Sequence, residues 1–89
     1  MIICAAIKDT STDQVFYGPR HGDIYEMMRC FGYKATSDFL LEGFVDDKNK
    51  FYNRHEAFMW ALQIGQLPKT VIEYKNDHSE NELYSEDLY

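Results

Sequence analysis

The spacing of hydrophobic and polar positions predicts two β-hairpins, each followed by a helix. The predicted strands cover residues 2–7, 14–17, 39–45 and 50–52. Apolar residues at helical spacing follow His21 and Asn53, so helices should start near these two residues. The expected order is β-β-α-β-β-α. Both helices should pack on one face of a small antiparallel β-sheet, which is an α+β fold.

The second predicted helix carries two apolar faces. One stripe consists of Ala57, Trp60, Ala61 and Ile64. Phe58 and Leu62 lie off this stripe and predict a second buried face, packed against another subunit. Asn53, with Glu56 three residues later, predicts a capping box at the start of this helix.

The charge balance changes near residue 72. Residues 1–72 hold nine acids and eight bases, a net charge of −1, whereas residues 73–89 hold six acids and only Lys75, a net charge of −5. We therefore expect one domain over residues 1–72, with a short strand at residues 71–72, and an acidic C-terminal tail over residues 73–89. A nearly neutral body disfavours duplex nucleic acid as a partner.

No stretch of the 89 residues approaches the ~20 apolar residues of a membrane span, so we expect a cytoplasmic protein without a membrane partner. The chain also offers little for catalysis, since it has no glycine-rich phosphate loop and no nucleophile elbow. Its three histidines lack metal-ligand spacing with each other and with Cys4 and Cys30. We expect two buried thiols, no metal, no cofactor and no enzymatic activity.

Arg20 and His21 stand at the start of the first predicted helix, where backbone amides favour anions. A guanidinium can bind a phosphate through two parallel hydrogen bonds. Alternatively, Arg20 pairs with Asp23 or Glu26 on its own helix, and composition makes this at least as good an interpretation.

Arg54 lies in the first turn of the second predicted helix, where a cation opposes the helix dipole at a cost of ~0.3–1 kcal/mol. With Lys50 nearby, the two cations could hold a diphosphate, and Tyr52 or Phe44 could stack on a base. Alternatively, Arg54 pairs with Glu42 or with a carboxylate of the tail.

An ordered series of segments resembles a family of small phage proteins that includes the first-described Thoeris anti-defence proteins. The segments are residues 2–7, 20–23, 43–45, 50–57, 65–66 and 85–89. Members of that family bind cyclic ADP-ribose isomers made by bacterial TIR-domain proteins and hold them intact. Some also bind cyclic trinucleotides, and they assemble from dimers into hexamers. The resemblance implies a non-catalytic sponge that keeps an immune signal from its effector.

The resemblance also assigns site residues. Lys50 matches the first basic position of the family's ligand-binding segment, Asn53 its acid or amide position and Arg54 its second arginine, while Arg20 and His21 match a further motif. Lys50 and Asn53 stand where arginine and aspartate are common, which leaves the ligand isomer open.

The assembly and the binding of trinucleotides stay open as well. A chain this short leaves little volume for a closed pocket of ~300 Å³, so we expect the site at a subunit interface. Two alternatives remain. One is a non-catalytic inhibitor that docks an aromatic surface or the acidic tail on a host defence protein. The other is a relative whose nucleotide site is degenerate.

Overall fold

A computed structural model describes residues 1–33 and 37–88, and their elements follow the predicted order with one addition. The strands are β1 (Ile2–Asp9), β2 (Gln14–Gly18), β3 (Leu40–Asp46) and β4 (Phe51–Asn53), and the helices are α1 (His21–Cys30), α2 (Arg54–Gln63) and α3 (Lys69–Asp77). Short 3-10 helices cover Ser37–Phe39 and Ser85–Asp87. The α+β class and the β-β-α-β-β-α order are confirmed, and α3 is added.

The four strands form one antiparallel sheet in the order β2-β1-β3-β4. Both predicted hairpins are present, and they are joined by the pairing of β1 with β3. Phe44 lies opposite Ala5 in this pairing and opposite Tyr52 on β4. Because successive side chains of a strand point to opposite faces, these three residues share the face on which the helices pack.

The core lies between this face and the helices. Its buried side chains include Ile2, Ala5, Ile7, Phe44 and Tyr52 from the sheet, Ile24 and Met28 from α1, and Ala57, Phe58 and Ala61 from α2. Gly43 on β3 pairs with Asn53, which caps α2. The carbonyl oxygen of Gly43 lies 2.8 Å from Nε2 of His21, the first residue of α1. The N-termini of both helices therefore meet over the middle of β3.

The predicted strand at residues 71–72 is wrong, because these residues lie inside α3. Pro68 is the N-cap of α3, and its fixed φ suits a helix start. Val71 and Ile72 are half-buried against the core, so packing outweighs their β-branched preference for strands. The expected boundary between domain and tail, at residue 72, also falls within this helix.

The segment after α3 packs on the body of the protein. Leu83 is fully buried in the core cluster. Phe58, predicted to face another subunit, is buried within the same chain, and Nζ of Lys75 on α3 lies 5.8 Å from its ring centre. The second apolar face of α2 is thus covered by the chain's own C-terminal part.

The prediction of two buried thiols is wrong for Cys30, which is exposed, whereas Cys4 is half-buried. Cys30 follows the buried Met28 by two residues, and two residues correspond to about 200° around a helix, so the thiol faces solvent. Burial raises the pKa of the Cys4 thiol.

Residues 1–33 and 37–88 contain no helix that is long and apolar enough to cross a bilayer. The same residues hold no group of three or more His, Cys, Asp or Glu side chains placed to bind a metal ion.

Candidate functional site

An open cavity of about 330 Å³ lies where the first turns of α1 and α2 meet the C-terminal 3-10 helix. It is lined by Arg20, His21, Gly22, Asp23, Arg54, Tyr84, Ser85 and Glu86. Three of the seven residues predicted from the sequence as ligand contacts, namely Arg20, His21 and Arg54, are therefore brought together here. The cavity forms within a single chain.

His21 is buried beneath this cavity with a defined tautomer. Its Nε2 lies 2.8 Å from the carbonyl oxygen of Gly43, which can only accept, so Nε2 carries the proton. Nδ1 is then the acceptor, and the hydroxyl of Ser85 lies 3.1 Å from it. The edge of the ring also packs against Phe44, with the ring centres 5.2 Å apart. His21 is thus a neutral hydrogen-bonding element between β3 and the C-terminal segment.

Burial lowers the pKa of His21 below its ordinary value, and the nearby Arg54 guanidinium lowers it further, against the opposing hydrogen bond to Gly43 and the Glu42 charge. The unfolded chain therefore takes up a proton at His21 more readily than the folded one. We expect the free energy of unfolding to fall as the pH drops below about 6.5, by at most ~1.4 kcal/mol per pH unit from this group.

Urea denaturation between pH 5 and 7.5 measures this dependence. The H21Q variant should be less stable at pH 7.5. The slope of its free energy of unfolding against pH should lack the contribution of His21. The matched H55Q variant, which alters an exposed histidine, should retain the full His21 contribution. An H21Q slope equal to that of the wild type would contradict this interpretation.

Arg54 anchors the C-terminal segment as well as lining the cavity. Its Nη1 donates to the carbonyl of Leu83 at 2.9 Å, and its guanidinium carbon lies 4.9 Å from the ring centre of Tyr84. Its Nη2 donates to Oε1 of Glu42 at 2.5 Å, which confirms the alternative in which these two residues pair. The side chain is only 19% exposed.

Glu42 keeps the charge of Arg54 balanced. Burial favours the neutral carboxyl, but hydrogen bonds from Tyr25 and Arg54 outweigh it and hold the pKa of Glu42 below its ordinary value. Burial together with this same hydrogen bond raises the pKa of Tyr25 to about 12. The charge of Arg54 is therefore balanced by Glu42. The other positive groups at the cavity are Arg20 and the N-terminus of α1, and the carboxylates of Asp23 and Glu86 line it as well.

The other four residues predicted as ligand contacts do not line the cavity. Phe44 is fully buried and Tyr52 is 8% exposed, so neither ring offers a face to a base. The Tyr52 hydroxyl donates to Asp46 at 2.8 Å, and its ring stacks on Trp60. The expected stacking roles are therefore wrong, because the face of β3 and β4 that carries these rings is the core face.

Lys50 and Asn53 serve local structure. Lys50 lies on the turn before β4, and its Nζ is 5.1 Å from the centre of the Tyr52 ring. Three strand residues separate Lys50 from Arg54, and Lys50 does not line the cavity that Arg54 lines. The structure therefore does not bring these two cations together in the cavity. Asn53 caps α2, and the predicted capping box with Glu56 is confirmed.

Sequence reasoning missed the C-terminal contribution to the cavity. The ring of Tyr84 contacts two cations, with Nζ of Lys75 4.8 Å from its centre and the guanidinium carbon of Arg54 4.9 Å from it. Lys75 is buried and donates to the carbonyl of Glu82 and to Asp87, both at 2.8 Å. The available signal was the apolar spacing of Leu83, Tyr84 and Leu88 within the acidic tail.

Comparison with known proteins identifies a protein family whose model matches this chain. The family model described as phage T4 y16D protein matches residues 1–89. No curated protein and no solved structure matches the chain.

Proposed function

We propose that this chain, which belongs to the phage T4 y16D protein family, binds a cyclic ADP-ribose-type immune signal in the host cytoplasm and sequesters it without cleaving it. The proposal also includes a cyclic oligonucleotide as a second ligand of this protein. The observation that carries it is the cavity of about 330 Å³ in which Arg20 and Arg54 flank the first turn of α1. Small-ligand sites commonly span ~300–1,000 Å³.

The first turn of α1 is suited to a phosphate. Arg20, its N-cap residue, makes no side-chain hydrogen bond to the turn, in contrast to Asn53 at the start of α2. Gly22 lines the cavity and has no side chain to keep an anion from the backbone. Amide donors, the helix dipole and the Arg20 guanidinium would then act together on one anionic group.

Sequestration rather than turnover is favoured by the state of the Ser85–His21 pair. A serine beside a histidine is the start of a nucleophilic site. Here Ser85 is 6% exposed and His21 8%, and the group that orients the histidine is the neutral carbonyl of Gly43. A carboxylate in that position would stabilise the imidazolium formed when the histidine takes a proton, whereas a carbonyl does so less well.

Calorimetry with a panel of cyclic ADP-ribose isomers and cyclic oligonucleotides tests the proposal. We expect saturable binding of at least one compound, which chromatography should recover chemically intact after the protein is denatured. No heat from any compound with a folded sample would overturn the sponge. A changed compound would point to an enzyme instead.

The R20A variant should weaken binding of the isomer that binds by at least about tenfold, since it removes a charge-assisted contact from an exposed position. R29A is the matched control, because Arg29 lies in the last turn of the same helix, with its side chain 76% exposed. It should change the affinity by less than about twofold, as expected for a surface charge away from the ligand. Equal effects of both variants would indicate only a general charge effect.

The proposal includes assembly into a homodimer or hexamer. Its support is the sheet face opposite the helices, where Tyr17 and Leu41 are each 41% exposed. Phe51 and Lys8 lie on the same face, with Nζ of Lys8 5.8 Å from the ring centre. This apolar face also favours the second candidate, a non-catalytic inhibitor that docks on a host defence protein. Sedimentation velocity measured on the calorimetry samples gives the oligomeric state.

A further inference from the structure

The cavity has an acidic side as well as a cationic one. Glu86 lies on the 3-10 helix Ser85–Asp87 and lines the same cavity as Arg20 and Arg54. We infer that Glu86 is a specificity-determining residue whose carboxylate accepts hydrogen bonds from sugar hydroxyls of the ligand. The ligand class is then a phosphorylated sugar with free hydroxyls. This inference rests on the proposed function.

The backbone around Glu86 is held in place from both sides. The hydroxyl of Ser85 is bonded to His21, and the carboxylate of Asp87 is bonded to the buried Lys75. Tyr84, which lies two residues before Glu86 and also lines the cavity, contacts Arg54 and Lys75 through its ring. A carboxylate on such an anchored turn is pre-organised, which reduces the entropy lost on binding a ligand.

Glu86 itself is exposed, and its side chain takes no part in the hydrogen bonds and ion pairs formed among residues 1–33 and 37–88. Its two neighbours stabilise the segment, whereas Glu86 adds only a carboxylate at the cavity wall. The position therefore contributes to the cavity rather than to the anchoring of the segment.

The charge of Glu86 decides between two ligand types. A ligand that is only an anion would be repelled by this carboxylate, which would offset part of the attraction from Arg20. A ligand with hydroxyl donors gains charge-assisted hydrogen bonds from the same group. Carboxylates serve this purpose for ribose in dinucleotide-binding folds. Asp23, in the first turn of α1, is a second carboxylate in the lining. The combination of Arg20 and Arg54 with carboxylates therefore fits a sugar phosphate better than a free phosphate or diphosphate.

The E86Q variant tests the inference, because the amide keeps the size of the side chain and removes its charge. Calorimetry would compare the cyclic ADP-ribose isomer that binds the wild type with inorganic pyrophosphate, which has the diphosphate but no hydroxyl. We expect E86Q to bind the isomer about tenfold more weakly and to bind pyrophosphate equally or more tightly.

E82Q is the matched control. It makes the same charge change four residues earlier at an exposed side chain, while the carbonyl that Lys75 contacts is kept. It should alter neither affinity by more than about twofold, as is usual for an exposed charge. Circular dichroism before each titration establishes that both variants are folded.

Two results would overturn the inference while leaving the proposed function intact. If E86Q binds both probes more tightly, Glu86 only repels anions. If it changes neither affinity, Glu86 does not contact the ligand. A wild-type protein that binds no isomer of the panel would instead overturn the proposed function, and the inference with it.

Discussion

Replacing Gly43 with alanine will destabilise the protein by roughly 3 kcal/mol, the upper end of the usual cost of overpacking. A methyl group at this position would lie 2.0 Å from the carbonyl oxygen of Tyr52 and 2.6 Å from the tip of the Phe51 ring. A ring can rotate away, but the carbonyl belongs to the neighbouring strand. Relief of the contact therefore requires β3 and β4 to separate.

The same substitution will disturb the cavity. Gly43 pairs with Asn53, which caps α2 one residue before Arg54, and its carbonyl binds His21. A displaced β4 therefore moves the start of α2 relative to α1. We expect G43A to lose ligand affinity along with stability, as measured by urea denaturation and calorimetry.

The control for the effect on stability is G22A. A methyl group at Gly22 meets no atom within 4 Å, and the residue lies inside α1, where alanine is favoured over glycine by about 0.5–1 kcal/mol. G22A should therefore be as stable as the wild type or more stable. A G43A protein within 0.5 kcal/mol of the wild type would show that the two strands can adjust, contrary to the expectation.

The parts of the fold predicted from the sequence are those set by local rules. The two hairpins follow from alternation, and the start of α2 follows from the Asn53–Glu56 spacing, whose reciprocal hydrogen bonds are present in the structure. The α3 helix was missed because Val71 and Ile72 prefer strands locally, and only their packing against the core makes the helix favourable.

The candidate site divides in the same way. Arg20, His21 and Arg54 were found because helix starts can be located in a sequence. Ser85 was not found, because its partner His21 is 64 residues away in the chain and no local pattern links the two. Phe44 was misassigned because aromatic content alone does not distinguish a core ring from a stacking ring.

The buried cation Lys75 organises the C-terminal side of the site. Its side chain is 1% exposed, in contact with the Asp87 carboxylate and the Glu82 carbonyl at 2.8 Å each, and with the Tyr84 ring. Glu80 lies further away, at 3.7 Å. A buried charged group is stable only when opposite charges and hydrogen bonds compensate for its lost hydration. The residues after α3 supply this compensation to Lys75.

The K75M variant keeps the length of the side chain and removes its charge. The Glu82 carbonyl then loses its lysine donor, and Asp87 loses its cation and keeps the hydrogen bond from the Tyr84 amide. Breaking a buried ion pair typically costs ~3–5 kcal/mol, and because Asp87 is 14% exposed we expect a value of about 3 kcal/mol, at the lower end of that range. K69M is the control on the same helix, at a side chain that is 89% exposed, and it should change the free energy of unfolding by less than 0.5 kcal/mol.

Adding D87N to K75M should recover part of the loss, because the charge that has lost its cation is then removed, while the side-chain oxygen of the introduced asparagine can still accept from the Tyr84 amide. Urea denaturation of the two single variants and the double variant gives this coupling directly. Additive effects would mean that the pair contributes little and that Lys75 acts through packing alone. If the ion pair does hold the segment, K75M should also weaken ligand binding, because Tyr84, Ser85 and Glu86 form one wall of the cavity and would lose their anchor.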